Sequence, residues 1–316
     1  DINYEFLLFN RPIILLANSW LRSNFPDIGI KTNLKGLASA IKRSVEHPNE
    51  YESSRITWLK RTINEPFQNN SSKKILDIVM NMAPFDNPPI VLLHGNSSVR
   101  KASLEGVYKE AINNNIDAYF THKPDNIYPP ETIYIAAHFD DLININNGFK
   151  VHLDHGLKGK GTANLHMSAM DYRKNHYFPN IDIHLTAGKE GFLRTKNILL
   201  GPYKNRAILG AYPKSDTLLH ANNLTNRMDI CKKFGFNPNL KIINYAPAGP
   251  LSFEKPGGSL NYKTLIELRK INKDQSYNIL IKLKNYKHGP ILLPFKKLKS
   301  YIIEKKYNNT INYTLR

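Results

Sequence analysis

Residues 149–162, FKVHLDHGLKGKGT, are the stretch on which the fold turns. The opening FKVHL has the β-branched and aromatic bias of a strand, and DHGLKGKGT after it is a loop with three glycines and two lysines. A strand that runs out into such a loop is the carboxyl edge of an open α/β sheet, where ligands gather. Glycines let backbone amides approach an anion, and Lys158 and Lys160 add charge. His155 sits between Asp154 and Gly156. A neutral imidazole there can take a proton from an attacking hydroxyl, with Asp154 orienting it. The same residues also suit a tight turn with a surface histidine, and an HG pair alone does not choose.

Outward from this loop, short apolar runs alternate with helical patterns. On the amino-terminal side, RPIILLA (11–17) reads as a buried strand. NLKGLASAIKRSVEHP comes next as a helix with Asn33 as N-cap, Leu34, Leu37, Ala38 and Ile41 on one face, and Pro48 as its stop. SSRITWLKRTI and SSKKILDIVMNMA add two helices. The three prolines of PFDNPP (84–89) mark a linker. Then come strand PIVLLHG, helix SVRKASLEGVYKEAINN, strands TIYIAAH and IDIHLTAG around the opening stretch, and a helix near 222–234. Strand KIINYAP, helix NYKTLIELRKI, strand YNILIKL, helix PFKKLKSYIIEKKY and strand TINYTL complete the chain. Strands separated by helices predict parallel sheets covered on both faces. Two such lobes with a linker predict a cleft between them.

Composition narrows the partners. Lys and Arg number 44 against 26 Asp and Glu, a net charge of +18. Part of that excess is solvated Lys- and Asn-rich surface, and the rest points to an anionic partner: a phosphorylated substrate or an anionic membrane. Nucleic acid is disfavoured, since no RNA-recognition, zinc-finger or helix-turn-helix pattern is present. No apolar run approaches the ~20 residues that span a bilayer. The one cysteine, Cys231, excludes a disulfide framework, suits a reducing compartment and reads as a buried helix residue.

Other strand ends carry chemistry. LGAYPKSDTLL (209–219) turns at Pro213 before Lys214 and Asp216, with Asp216 as helix cap or ligand contact. INYAPAG (243–249) ends a strand, and KPGGSLNYK after it is either an anion-cradling helix start or a surface loop. HGNSSVR (94–100) also leads from strand to helix and could bind phosphate, but lacks the Gly-Lys-Ser/Thr of an ATPase loop. No metal-ligand spacing is present.

Taken in order, DHGLKGKG, IDIHLTAGKEG, ILGAYPKSDTLL and KIINYAPAG resemble the CDP-glycerol glycerophosphotransferase family, the teichoic-acid polymerase-like enzymes of GT-B fold. Members carry an HG-x-x-x-K loop, a G-x-P-[KR]-x-D element and a Y-A-P-[TS] strand end. YEFLLFNRPIILL resembles the segment just after the family's serine loop, and the helices between 37 and 83 resemble its closing helices. The resemblance touches nearly all the chain with one rearrangement: a segment that ends the family's catalytic unit comes first here. It implies a donor-binding lobe made of 207–316 and 1–83 together, and an acceptor-side lobe of 84–206. A slice through tandem units is expected over a circular permutation, because Asp1 falls on or beside the serine loop and no such loop comes later.

The resemblance implies two Rossmann-like lobes with parallel sheets facing a cleft. It implies transfer of glycerol phosphate or a related alditol phosphate from a CDP-linked donor to an acceptor hydroxyl, without redox cofactor or metal. His155 would be the general base; Gly156, Lys158, Lys160, Lys214, Asp216 and Glu5 would contact donor or phosphate. Ala248 stands where the family has Ser or Thr, beside Gly249; Lys282 and a displaced His288 stand near its K-x-H-P element. The implied partners are a nucleotide-activated small molecule and an anionic lipid-linked or polyol-phosphate acceptor, with the protein cytoplasmic and peripheral on the inner membrane face. The alternatives are a GT-B glycosyltransferase using a nucleotide sugar for capsule or glycan assembly, and a non-catalytic anion-binding fragment.

Overall fold

The structure is a computed structural model that describes residues 6–16, 27–68, 70–123, 128–154, 178–198, 201–224, 227–246, 262–274, 276–282, 302–307 and 310–315. The chain divides into two units. One holds 6–9 and 56–222 of the described stretches, the other 10–55 and 223–316.

The first unit is built on a six-stranded sheet. In chain order its strands are β3 (Ile90–Leu93), β4 (Ala118–Thr121), β5 (Ile133–Ala136), β6 (Phe149–Leu153), β7 (Ile183–Thr186) and β8 (Ala207–Leu209). They lie in the order β4-β3-β5-β6-β7-β8, every neighbouring pair parallel. The runs IVLL, IYIA and IHLT are buried at every position, as strands covered on both faces must be.

Side chains alternate between the faces. Ile90, Leu92, Ile133, Ile135, Val151, Leu153, Ile183 and Leu185 share one core. Helices α3 (Ser71–Met82) and α4 (Ser98–Asn113) cover it with Ile75, Leu76 and Val79 and with Leu104, Val107 and Ala111, the i, i+3, i+4, i+7 spacing of an apolar stripe. Val91, Leu93, Tyr134, Ala136 and Ala207 face a second core with Leu142, Ile145 and Ile181. Between β3 and β5 the order of winding reverses, which makes the carboxyl ends of those two strands the switch point of the sheet.

Helices α2 (Glu52–Thr62) and α3 differ from the sequence expectation of one segment over 1–83. From Ile56 onward the chain belongs to the six-stranded unit. The apolar face of α3 is part of that sheet's cover, and the end of α2 lies on Gly188, where a Cβ would come within 2.4 Å of the Thr62 carbonyl. Asn64 N donates to Ala187 O at 2.9 Å, and its side-chain amide to Gly210 O at 2.9 Å. The proline-rich 84–89 is therefore no boundary between units. It leads directly into β3, with Pro89 O accepting from Ile133 N.

In the second unit β1 (Ile14–Leu16) and β2 (Ile30–Thr32) form a parallel pair against α1 (Leu37–Glu46). β9 (Lys241–Tyr245) runs parallel to β10 (Tyr277–Lys282), and β12 (Thr310–Leu315) joins β10 to β11 (Ile302–Tyr307) by antiparallel pairing. This sheet is mixed, where parallel strands are expected from sequence. PFKKLKSYIIEKKY is the difference: Ile302–Tyr307 forms a strand, not a helix. Tyr307 pairs with Thr310, so two residues, Asn308 and Asn309 in sequence, separate the strands, the spacing of a hairpin. The core of this unit brings Leu37 and Ile41 of α1 and Ile14 and Leu16 of β1 together with Leu265 and Leu268 of α8 (Tyr262–Ile271) and Ile279 and Ile281 of β10. On α1 it is Ala40, not Ala38, that turns inward. Cys231 is buried on α7 (Arg227–Phe234), as read from sequence.

Truncating either side of this shared core tests whether the two ends of the chain fold as one unit. Ile41→Ala should cost about 2–5 kcal/mol in denaturant unfolding. It should also raise amide exchange in β9 and β10, far away in sequence. Unchanged exchange there would separate the two segments.

Candidate functional site

β6 and β7 pair in register, with His152 opposite His184. Neighbouring parallel strands are about 4.8 Å apart, so two in-register side chains on one face must meet. Both rings are nearly inaccessible, 3% and 4% exposed, and their Nδ1 atoms are 2.6 Å apart. Phe139, on the short helical turn Phe139–Asp141 after β5, stacks on His152 with centroids 3.6 Å apart and planes 9° from parallel. The His152–His184 and Phe139–His184 centroids are 4.7 and 5.8 Å apart. These three separations make a right-angled triangle with its corner at His152. The two imidazoles therefore lie edge to edge in nearly one plane, 13° apart, with Phe139 as a lid over one of them.

That geometry decides what the nitrogens share. In a hydrogen bond between two Nδ1 atoms, one must carry the proton and the other must offer its lone pair. Asp154, just past β6, places Oδ2 3.9 Å from His184 Nε2, and its backbone amide donates to Leu185 O at 3.0 Å. Ligand atoms of His152, Asp154 and His184 all lie within 4.8 Å of one another. Two nitrogens bound to one tetrahedral zinc at about 2.0–2.1 Å would stand roughly 3.3 Å apart, with lone pairs meeting at an angle. Here the two Nδ1 atoms are closer and point at each other, which fits a proton shared between them.

At the switch point, β3 is followed by His94 and Gly95. Gly95 and Asn96 both take left-handed φ, 51° and 55°. A Cβ on Gly95 would meet Arg100 Nη1 at 2.4 Å and Asp141 Oδ1 at 2.5 Å, so a side chain there would have to displace that ion pair, and the left-handed φ strains any other residue. Arg100, in the first turn of α4, donates to both oxygens of Asp141 at 2.9 Å and so ties the β3 loop to the β5 loop. The Ser97 hydroxyl caps α4. His94 Nδ1 is buried without a hydrogen-bond partner among the described residues. Burial holds the His94 pKa below the ordinary imidazole value, and Lys101 and His122 lower it further.

The GAYPKSD element has a second use that sequence does not disclose. Asp216, in the first turn of α6 (Lys214–Leu224), accepts from the amides of Ser71 and Ser72, at 3.0 Å on Oδ1 and 2.7 Å on Oδ2. It caps α3, a helix some 145 residues away in sequence, and not its own. A carboxylate on two unsatisfied amides at the positive end of a helix dipole is a strong cap. Ser215 Oγ donates to Tyr212 O at 2.6 Å, so the 2.9 Å contact between the Ser71 and Ser215 hydroxyls has Ser71 as donor.

Of the residues singled out by sequence, Lys214 and Asp216 lie on α6 in the six-stranded unit, and Lys282 ends β10 in the other. Glu5, His155, Gly156, Lys158, Lys160, Ala248, Gly249 and His288 lie outside the described residues. His152 and His184 went unassigned from sequence, although each stands inside an apolar strand run, VHL and IHLT. A polar ring in a doubly buried strand needs a partner, and two such strands in one sheet were the available signal. Among the described residues, no helix is long and apolar enough to cross a membrane.

No protein-family model matches the chain, and no curated protein does. Among solved structures, the wall teichoic acid polymerase TagF is similar, at a TM-score of 0.44 and 16% identity. The match covers 77% of this chain and 65% of that one, so the chain spans under two thirds of that polymerase's length.

Asp216→Ala should destabilise the protein by about 1–3 kcal/mol, because two helix-end amides lose their acceptor, whereas Asp216→Asn keeps one. Thermal unfolding of both variants checks this ranking. His94 should titrate below about 6.5. Its folded pKa is depressed, so the stability tied to its neutral form is present above that value and lost as pH falls through the folded pKa. Histidine-resolved NMR titration together with unfolding at pH 7 and 5 reads both effects.

Proposed function

We propose that the protein is a transferase that moves glycerol phosphate, or a related alditol phosphate, from a CDP-linked donor to an acceptor hydroxyl. One observation carries the reading. DHGLKGKG, GAYPKSD and YAPAG come one after another in the family's order, and the first leaves the carboxyl edge of a parallel, doubly wound sheet. Carboxyl edges are where such sheets hold their ligands.

In this reading His155 removes the proton of the acceptor hydroxyl. The freed oxygen attacks the phosphorus of the alditol phosphate, and the diphosphate bond breaks with its electron pair leaving on CMP. Charge grows on that leaving group, and cations with aligned backbone amides stabilise it best when fixed in advance. Lys158 and Lys160 with Gly156 supply them from the first loop and Lys214 from the start of α6, and Glu5 contacts the donor's sugar. Asp216 acts from behind, holding α3 against α6. The net charge of +18 suits an anionic acceptor, a lipid-linked or polyol phosphate, on the inner membrane face, where basic residues gain about 1 kcal/mol each near the lipid surface. The CDP-linked donor is itself the only small molecule required.

Incubation with CDP-glycerol and a polyol-phosphate acceptor should release CMP. His155→Ala should lower that rate by about 100-fold or more, the usual weight of a positioned general base. Nucleoside diphosphate released from a sugar donor instead would make the protein a glycosyltransferase. Binding of the acceptor with no release from either donor would leave an anion-binding module.

A further inference from the structure

We infer that His94, His122 and Lys101 form an anion subsite at the carboxyl ends of β3 and β4, and that it takes a backbone phosphodiester of the polyol-phosphate acceptor. The identity of the ligand rests on the proposed transfer; the subsite stands on its own geometry.

Strand register builds it. Leu92 pairs with Phe120 and Leu93 with Thr121. One residue further, His94 N donates to Thr121 O at 3.0 Å, so the pairing carries on beyond the apolar run. His94 and His122 then follow on the face that Leu92 and Phe120 occupy. Their ring centroids are 6.5 Å apart, so one phosphate group can touch both. Phe120 is the floor. The His94 ring lies 5.0 Å from it and Tyr108 stacks on it at 5.3 Å. Lys101, in the first turn of α4, puts Nζ 5.7 Å from the centroid of Phe120. His122 and Lys101 are exposed and His94 is half-buried. The Ser97 hydroxyl already caps α4, so the subsite is made of side chains and does not depend on the helix end.

Its charge is lopsided. The titratable and charged groups around His94 are Lys101 and Arg100 from α4, His122 after β4 and Asp141 after β5. Arg100 already holds both oxygens of Asp141. Among the described residues, no ion pair engages Lys101 or His122, and no hydrogen bond reaches His94 Nδ1. Nδ1 is the buried ring nitrogen, so contact with a ligand falls to Nε2. Burial and the neighbouring cation keep His94 neutral, and an anion beside it reverses that preference. One fixed cation matches the single charge of a phosphodiester, and the two imidazoles donate N–H bonds to its oxygens. The open position of Lys101 and His122 lets a long acceptor chain pass.

The subsite can be tested without any donor. In the whole protein labelled with nitrogen-15 histidine, glycerophosphoglycerol is added at fixed ionic strength. This diester keeps a single negative charge across the histidine range, so any pH dependence belongs to the protein. The His94 and His122 signals should move saturably, and the His94 titration midpoint should be higher in the bound state. Affinity should therefore be greatest below the free-state pKa of His94. It should weaken about 10-fold as pH rises through the bound-state value. Lys101→Ala and His122→Asn, both at exposed positions, should each weaken binding about 10-fold. In the transfer assay they should raise KM for the acceptor more than they lower kcat. No saturable shift of either histidine overturns the subsite, as does an equal shift with chloride at the same concentration. Variants that bind like the parent also overturn it. Shifts with CMP but none with the diester overturn the acceptor assignment. Absence of CMP release from the parent would count against the proposed transfer alone, because the diester titration decides the subsite either way.

Discussion

Burial of the six-stranded sheet on both faces is the constraint that organises the first unit. A strand buried on one side can turn its polar residues to water, but one buried on both sides cannot. FKVHL and IHLT each send a histidine into the same apolar layer as Tyr134 and Ala136. Leaving either ring unpaired there would cost a few kcal/mol. In-register pairing of β6 with β7 removes that cost by giving each imidazole the other as partner. The register thus does two things at once: it keeps Val151, Leu153, Ile183 and Leu185 in one core and closes the histidine pair in the other. A slip of one residue would undo both.

The same economy of partners explains the helices over the opposite face. α3 has an apolar side that suits the sheet, but its first amides face no acceptor of their own. Asp216 reaches them from another helix, and Ser215 and Ser71 complete the contact. The sheet, α3 and α6 are therefore held by apolar burial together with one carboxylate. At the switch point the Arg100–Asp141 pair has a similar role, joining the loops after β3 and β5 across Gly95, where a side chain would displace the pair. Arg100 and Asp141 are 23% and 12% exposed, so the pair is better shielded from water than a surface ion pair and loses less to screening.

The second unit illustrates that neighbours in a core need not be neighbours in sequence. Leu37 and Ile41 lie near the start of the chain, and Leu265 and Ile281 lie near its end. Closing so long a loop costs entropy that grows only slowly with length, and several fully buried aliphatic side chains are enough to offset it. The chain enters this unit, leaves it after Arg55 and returns after Asn222. Residues 56–222 of the six-stranded unit are thus inserted between two parts of one core.

Much of this was legible in the residues themselves. The apolar runs IVLL, IYIA and IHLT, the helical stripe of Ile75, Leu76 and Val79, the burial of Cys231 and the parallel α/β character of the first unit all stem from local periodicity and composition, which act over a few residues. Other features depend on which strand lies beside which. Sequence alone did not place residues 56–82 with the six-stranded sheet, make a strand of 302–307 or give Asp216 to α3. It showed His152 and His184 as polar interruptions in two strands, and only the tertiary register made them partners. The reason is physical: propensity is set by a residue's chain neighbours, but a buried polar group is satisfied by whatever the fold brings within about 3 Å, and that partner can lie anywhere in the chain.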